Sequence, residues 1–203
     1  MNKTIVFLMT IIFLTIFSFS IYATNNVGVS IKGENSSVHE LLILGGDIDI
    51  PFYNDEYVFN GFLGMSTDFA ANQFYIQMDV LKEINKTKNY YMGLGYKYIN
   101  DKFSSYRGGG EMSQNVLYAK FVGTNHYNGF DLKTDISYSP LADFKYLNNE
   151  KMNMSSWFVE FSLNKEFMED LNAKFAVSYG YDLYDDVHTN VTSYTLGVNY
   201  NLD

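Results

Sequence analysis

The stretch from Leu171 to Asp203, LNAKFAVSYGYDLYDDVHTNVTSYTLGVNYNLD, constrains the fold more than any other part of the chain. Two runs alternate apolar and polar residues, joined by a short acidic connection. In the first, Leu171, Ala173, Phe175, Val177, Tyr179, Tyr181 and Leu183 share one parity. Asn172, Lys174, Ala176, Ser178, Gly180 and Asp182 share the other. In the second, Tyr194, Leu196, Val198, Tyr200 and Leu202 oppose Thr195, Gly197, Asn199 and Asn201. Strand side chains point alternately to opposite faces, so each run is a β-strand with one apolar and one polar face.

The same period recurs upstream. Val27, Val29 and Ile31 alternate with Gly28, Ser30 and Lys32, before a turn cluster at Gly33–Ser37. His39–Phe52 carries Leu42, Leu44, Ile48 and Ile50 on one parity and Asp47 and Asp49 on the other. Tyr57–Thr67 is strand-like with mixed faces. Phe74, Ile76, Met78 and Val80 oppose Tyr75, Gln77 and Asp79; Met92, Leu94, Tyr96 and Tyr98 oppose Gly93, Gly95 and Lys97. Leu117, Ala119 and Phe121 oppose Tyr118 and Lys120. Phe130, Leu132, Thr134, Ile136 and Tyr138 oppose Asp131, Lys133, Asp135 and Ser137. Trp157, Val159, Phe161 and Leu163 oppose Ser156, Glu160, Ser162 and Asn164, with Phe158 breaking the polar face. The pattern predicts about ten strands of roughly 8 to 12 residues, with eight strands as the alternative count. Every connection is local, so the simplest topology is an antiparallel up-and-down meander. Its links alternate in length: 124–128 and 165–170 are short, 100–113 and 139–153 long. Outer-membrane barrels show this asymmetry, with short periplasmic turns and longer external loops.

Alternation alone fits a soluble barrel or sandwich with its apolar face inward. It equally fits a membrane barrel with that face toward lipid. Three features favour the second. The polar parity is rich in Gly, Ser, Asn and Thr with opposite charges mixed in, which suits a narrow lumen better than a soluble exterior. Tyr and Phe, 18 and 17 residues against one Trp, gather near strand ends at Phe52, Tyr53, Tyr90, Tyr91, Tyr138, Tyr181 and Tyr184, as an aromatic girdle would. The strands approach the roughly 9 to 11 residues that cross a bilayer at a tilt. An open sheet in lipid would leave backbone amides unpaired, so the wall must close. The expected fold is an all-β, antiparallel transmembrane β-barrel over 24–203, its last strand pairing back to Val27–Ile31.

Met1–Ala23 has the parts of a secretory signal peptide: Lys3, an apolar run Ile5–Phe17, and small residues ending at Ala23. An uncleaved anchor is the competing reading, because the run approaches the roughly 20 residues of a spanning helix. The sequence thus predicts export to the bacterial outer membrane. Charged residues make up 18% of the chain, below the ordinary quarter, and mean hydropathy is only −0.14. The net charge of −9 and the lack of a basic patch argue against a nucleic-acid partner. With no Cys, thiol catalysis, thiolate metal sites and a lipid-bearing Cys are excluded.

Chemistry-bearing residues are sparse. His188 lies beside Thr189 and near Asp185 and Asp186, in a predicted external loop where a lipid acyltransferase or deacylase would place its site. No nucleophile motif accompanies it, so a polar loop is the preferred reading. Asp182, Asp185 and Asp186 lack the spacing of a calcium loop and read as a solvated acidic connection. Arg107-Gly108-Gly109-Gly110 lacks the Lys-Ser/Thr of a phosphate loop. His39 and His126 read as surface residues. No catalytic residue, cofactor or metal is expected.

The terminal strand resembles the β-signal of outer-membrane barrels, with Thr195, Gly197, Tyr200 and Leu202 in its polar, glycine, aromatic and hydrophobic places. It departs at the end, where Asp203 follows Leu202. The resemblance implies recognition by the barrel-assembly machinery, with periplasmic chaperones during biogenesis. More narrowly, the mature chain loosely resembles the YfaZ-type family of small outer-membrane proteins, best at Ile48–Pro51, Leu117–Ala119, Tyr138–Pro140 and Ala176–Tyr181. That family supplies no catalytic residues to carry over.

Three functions are therefore expected, in order: a barrel with a structural or surface role, its lumen plugged by its own side chains; a restrictive channel for ions or small polar solutes; and a lipid-modifying enzyme. In the channel reading, Asp79, Lys97, Asp131, Lys133, Asp135, Glu160 and Lys174 face the lumen and set selectivity. Outer-membrane lipid is the expected environment in all three.

Overall fold

The computed structural model describes residues 25–36, 40–52, 56–68, 71–103, 110–146, 150–184 and 187–202. The proposed signal segment, His39, Arg107-Gly108-Gly109, Asp185 and Asp186 lie outside the described residues.

Ten strands run in chain order: β1 Asn25–Ser36, β2 Glu40–Phe52, β3 Tyr57–Asp68, β4 Ala71–Asn85, β5 Tyr90–Phe103, β6 Gly110–Tyr127, β7 Phe130–Tyr146, β8 Glu150–Met168, β9 Leu171–Tyr184 and β10 Val187–Leu202. Each pairs antiparallel with its sequence neighbours, and β10 pairs with β1 to close the barrel. The closing register sets Val27 against Tyr200 and Ile31 against Leu196, so the start of β1 and the end of β10 lie at one rim, the chain-end rim. Closure removes the edge amides that an open sheet would expose to lipid. At that rim, the turn joining β6 and β7 is Asn128-Gly129, with φ of 50° and 76°. Positive φ at both central residues matches the twist of a tight hairpin, and Asn-Gly is the pair that tolerates it.

The strands are longer than the alternation predicts. Residues 100–103 and 110–113 belong to β5 and β6, and most of 139–153 belongs to β7 and β8, of 17 and 19 residues. Likewise β1 runs through Gly33 to Ser36, part of the predicted turn cluster. The reason is physical: the apolar face stops where lipid would stop, but the backbone ladder continues as long as two strands remain paired. Within β7 the register slips between Ser139 and Ala142. Pro140 has no N–H to give the ladder, and a bulge accommodates it. The bulge also swaps parity. Asp135 and Ser139 are buried before it on odd positions, and Ala142 is buried after it on an even one.

The outer wall is apolar. Val29, Ile31, Leu42, Leu44, Met65, Leu94, Leu117, Ile136, Phe161, Leu196 and Val198 are all exposed. The interior carries Ser30, Asp79, Lys97, Gln114, Lys120, Asp135, Ser139, Ser156, Ser178, Ser193 and Thr195, all buried. This is the inverse of a soluble barrel. Rings cluster on the wall toward both rims: Phe52 stacks on Tyr57 at 5.4 Å, and Trp157 meets Tyr179 at 5.9 Å and Tyr181 at 6.3 Å.

Candidate functional site in the barrel lumen

The polar parity of every strand converges on the lumen, so the candidate site is the barrel interior. Toward the rim opposite the start of β1 and the end of β10, part of that interior is an apolar cluster, with Glu34, Gln114, Asp182 and Thr189 also buried at that end. Ile43, Tyr75, Ile99, Val116, Tyr118, Ala142 and Met154 form one buried cluster, with Phe62 packed against it. Gln114 Nε2 donates to Met154 Sδ at 3.1 Å. The apolar members sit on the otherwise polar parity, and the β7 bulge brings Ala142 among them.

Below the cluster lies a connected polar chain. Lys32 Nζ donates to the Tyr75 hydroxyl at 3.1 Å, and that hydroxyl donates to Gln77 Oε1 at 3.0 Å. Gln77 Nε2 donates to Asp79 Oδ2 at 3.4 Å. Asp79 also accepts from the Tyr118 hydroxyl and from Lys120 Nζ, the latter at 2.7 Å. Lys120 reaches Asp135 Oδ2 at 3.0 Å, and Lys133 approaches the same oxygen at 3.7 Å. The chain thus runs from β1 through β4 and β6 to β7. Nearer the chain-end rim, Ser30 Oγ donates to Asp47 at 3.0 Å, Lys174 stands 3.8 Å from Asp47, and Asn60 Nδ2 donates to Asp49 at 2.6 Å. Buried charges are tolerated only when paired and hydrogen-bonded, and the partners come from the same strand, from its neighbour, or from two or three strands away around the wall.

Large and small side chains interlock around this chain. A Cβ on Gly95 would collide with Asp79 and the Tyr118 ring, and one on Gly180 with the Phe158 ring. Phe158, which interrupts the polar alternation of its strand, turns inward over Gly180 and receives Lys97 Nζ 4.4 Å from its ring centre.

Six of the seven sequence-predicted lumen charges lie on this inner face. Asp79, Lys97 and Asp135 are buried, and Glu160, Lys133 and Lys174 half-buried. Asp131 does not join them. It is exposed at the start of β7, beside the tight turn, where its carboxylate meets His126 Nδ1 at 2.8 Å. Its parity is right, but the strand end lifts it to the rim. Sequence reasoning placed Lys32, Asp47, Asp49, Lys120 and Tyr118 on polar parities without naming them as lumen groups. The parity was the available signal; the pairing was not. Two loop expectations change. His188 is in β10 rather than a loop, exposed, with its ring stacked on Tyr181 at 5.5 Å. Asp182 is not a solvated acid but is buried on the inner face of β9. Among the described residues, no group of three or more His, Cys, Asp or Glu is arranged to hold a metal. Of the terminal motif, Thr195 points inward and is buried, while Tyr200 and Leu202 lie on the exposed apolar wall.

A closed, even-stranded barrel with an apolar wall and a polar interior defines the class: a β-barrel of the outer-membrane type. Solved structures with similar folds include Neisserial surface protein A, at 10% identity over 88% of this chain and 96% of that one, TM-score 0.46. The outer membrane protease OmpT of Escherichia coli aligns at 10% identity over 89% and 96%, TM-score 0.46. The β domain of the Bordetella autotransporter BrkA aligns at 8% identity over 89% and 99%, TM-score 0.46. No protein-family model and no curated protein matches the sequence.

Proposed function

We propose that this protein is an integral outer-membrane barrel with a structural or surface-interaction role, its lumen closed by its own side chains. One observation carries the reading: Lys120 on β6 ties Asp79 on β4 to Asp135 on β7 inside the lumen, beneath a buried cluster of packed, mostly apolar side chains. A solute passing through would have to break a buried, twice-paired ammonium and displace packed side chains. Signal-peptide export, delivery by periplasmic chaperones and recognition of the Thr195–Leu202 motif by the assembly machinery belong to this reading. So does kinship with the YfaZ-type family, which rests on the sequence resemblance. The role is non-enzymatic in this reading. In its support, the His188 ring is engaged by Tyr181 on the outer wall rather than poised beside a nucleophile.

The restrictive-channel reading has one observation in its favour, the half-buried charges Lys133 and Lys174 near the chain-end rim. Planar-bilayer recording on the refolded protein decides between the two. A closed barrel gives no stepwise current at moderate voltage, and regular unitary openings would overturn the plugged-lumen reading.

A further inference from the structure

The interior is not fully packed. Between the apolar cluster and the Lys120 bridge lies a cavity of about 70 Å³, lined from both sides of the wall. At roughly 10–15 Å³ per water-sized position, it accommodates about five non-hydrogen atoms.

The charges around it are unevenly partnered. Lys32 pairs with Glu34 at 3.3 Å, Lys120 with Asp79 at 2.7 Å, and Lys133 approaches Asp135 at 3.7 Å. These pairs leave one ammonium, Lys97, and one carboxylate, Glu160, that both line the cavity without a direct ion-pair contact among the described residues, although Glu160 stands in the field of Lys32, Lys120 and Lys133. They are near each other. Lys97 reaches over the Phe158 ring, and Phe158 is the inward neighbour of Glu160 on β8. Two further lining atoms, Asp135 Oδ1 and the Ser156 hydroxyl, are buried without a hydrogen-bond partner. Ser156 is only 3% exposed. Moreover, Asp135 and Glu160 stand directly opposite in the β7–β8 register, an arrangement of like charges that costs stability unless a donor lies between them.

A buried polar group left unpaired is costly; Asp135 Oδ1 and the Ser156 hydroxyl are such groups, and Lys97 and Glu160 present one charge of each sign to the same cavity. One cation requires an acceptor, and the acidic oxygens require a donor. A simple anion would satisfy Lys97 and repel Glu160; a simple cation would do the reverse. We propose that this cavity is a binding site for a small zwitterion of amino-acid size. Its carboxylate faces Lys97 and its ammonium faces Glu160 and Asp135 Oδ1, with Ser156 as a further hydrogen-bonding group. The site is net neutral once the three pairs are counted, so it takes a net-neutral ligand that carries both charges.

The probe is isotopically labelled glycine, added to the full chain both during and after refolding in detergent and followed by NMR. Acetate and glycinamide, each lacking one of the two charges, serve as comparisons. Saturable binding of glycine that exceeds either comparison by about tenfold or more is expected, since each lost charge forfeits a charge-assisted hydrogen bond. Lys97→Met and Glu160→Gln should each abolish that preference while gel mobility before and after heating still reports a folded barrel. No saturable glycine binding to the folded wild-type protein, equal binding of all three probes, or an unchanged preference in both folded variants would overturn the proposal. The conductance result does not bear on it, because a closed barrel and a conducting one can both hold the site.

Discussion

Lys120 shows how much one side chain can decide inside a narrow barrel. Its ammonium is 8% exposed and serves Asp79 and Asp135 together. Removing it leaves two buried carboxylates facing each other without their shared cation, a change that ordinarily costs about 3–5 kcal/mol. Lys120→Met should therefore lower stability to denaturant in detergent by about that amount, read from the unfolding midpoint of the intrinsic fluorescence. The triple change Asp79→Asn, Lys120→Met, Asp135→Asn removes the whole charged unit and should recover much of the loss. If Lys120→Met unfolded at the wild-type midpoint, the bridge would be an exposed ion pair of little weight. Such pairings were not legible in the sequence. Parity puts Asp79, Lys120 and Asp135 on inner faces, but Lys120–Asp135 depends on the register of β6 against β7, and Lys120–Asp79 on how β4 and β6, which are not neighbours, meet in space. Asp131 marks the limit from the other side: it has the same parity as Asp135, and only its place beside the turn removes it from the lumen.

At the scale of the element, β10 is both the last strand and half of the closing seam. Its outward residues alternate without interruption from Tyr194 to Leu202, and its register against β1 is continuous from Asn25 to Ser36. Period two fixes which face each residue serves, so a strand with an unbroken pattern is readable from sequence alone. Strand β7 is the contrast. Its pattern is equally clean up to Ser139, but the Pro140 bulge swaps its parity and brings Ala142 into the apolar cluster. No alternation rule anticipates that swap, and the sequence pattern reads 139–153 as a long link. The terminal strand also bears the residues that resemble an assembly signal. Tyr200 and Leu202, 47% and 44% exposed, make no interior contact that would explain a requirement for them in a finished lumen. The double variant Tyr200→Asp, Leu202→Asp should fail to reach the heat-modifiable, membrane-extracted form in cells, with wild-type accumulation of that form as the outcome that counts against an assembly role. Refolding the same variant in detergent separates loss of recognition from loss of intrinsic stability.

For the whole molecule, the decisive property is which face of the wall meets the apolar medium. The barrel could be inverted in only one sense: Leu196 at 61% exposure and Phe161 at 62% stand on the outside of a wall whose inside holds lysines, aspartates and serines. In water, so much contiguous apolar surface would drive association. In a bilayer it is the solvent-matched face. A charge placed on that wall discriminates between the two environments. Leu196→Arg should cost about 2–4 kcal/mol for a position near the bilayer midplane, measured as folding free energy into lipid vesicles. Lys174→Arg, on the inner face of the register neighbour of Gly197, keeps both its charge and its reach to Asp47 and should change stability by no more than about 0.5 kcal/mol. A soluble barrel reverses the first expectation, because an outward arginine would then enter water at little cost. Equal folding free energies for Leu196→Arg and Lys174→Arg in vesicles would therefore remove the membrane from the account of this fold, whatever the strand count and closure.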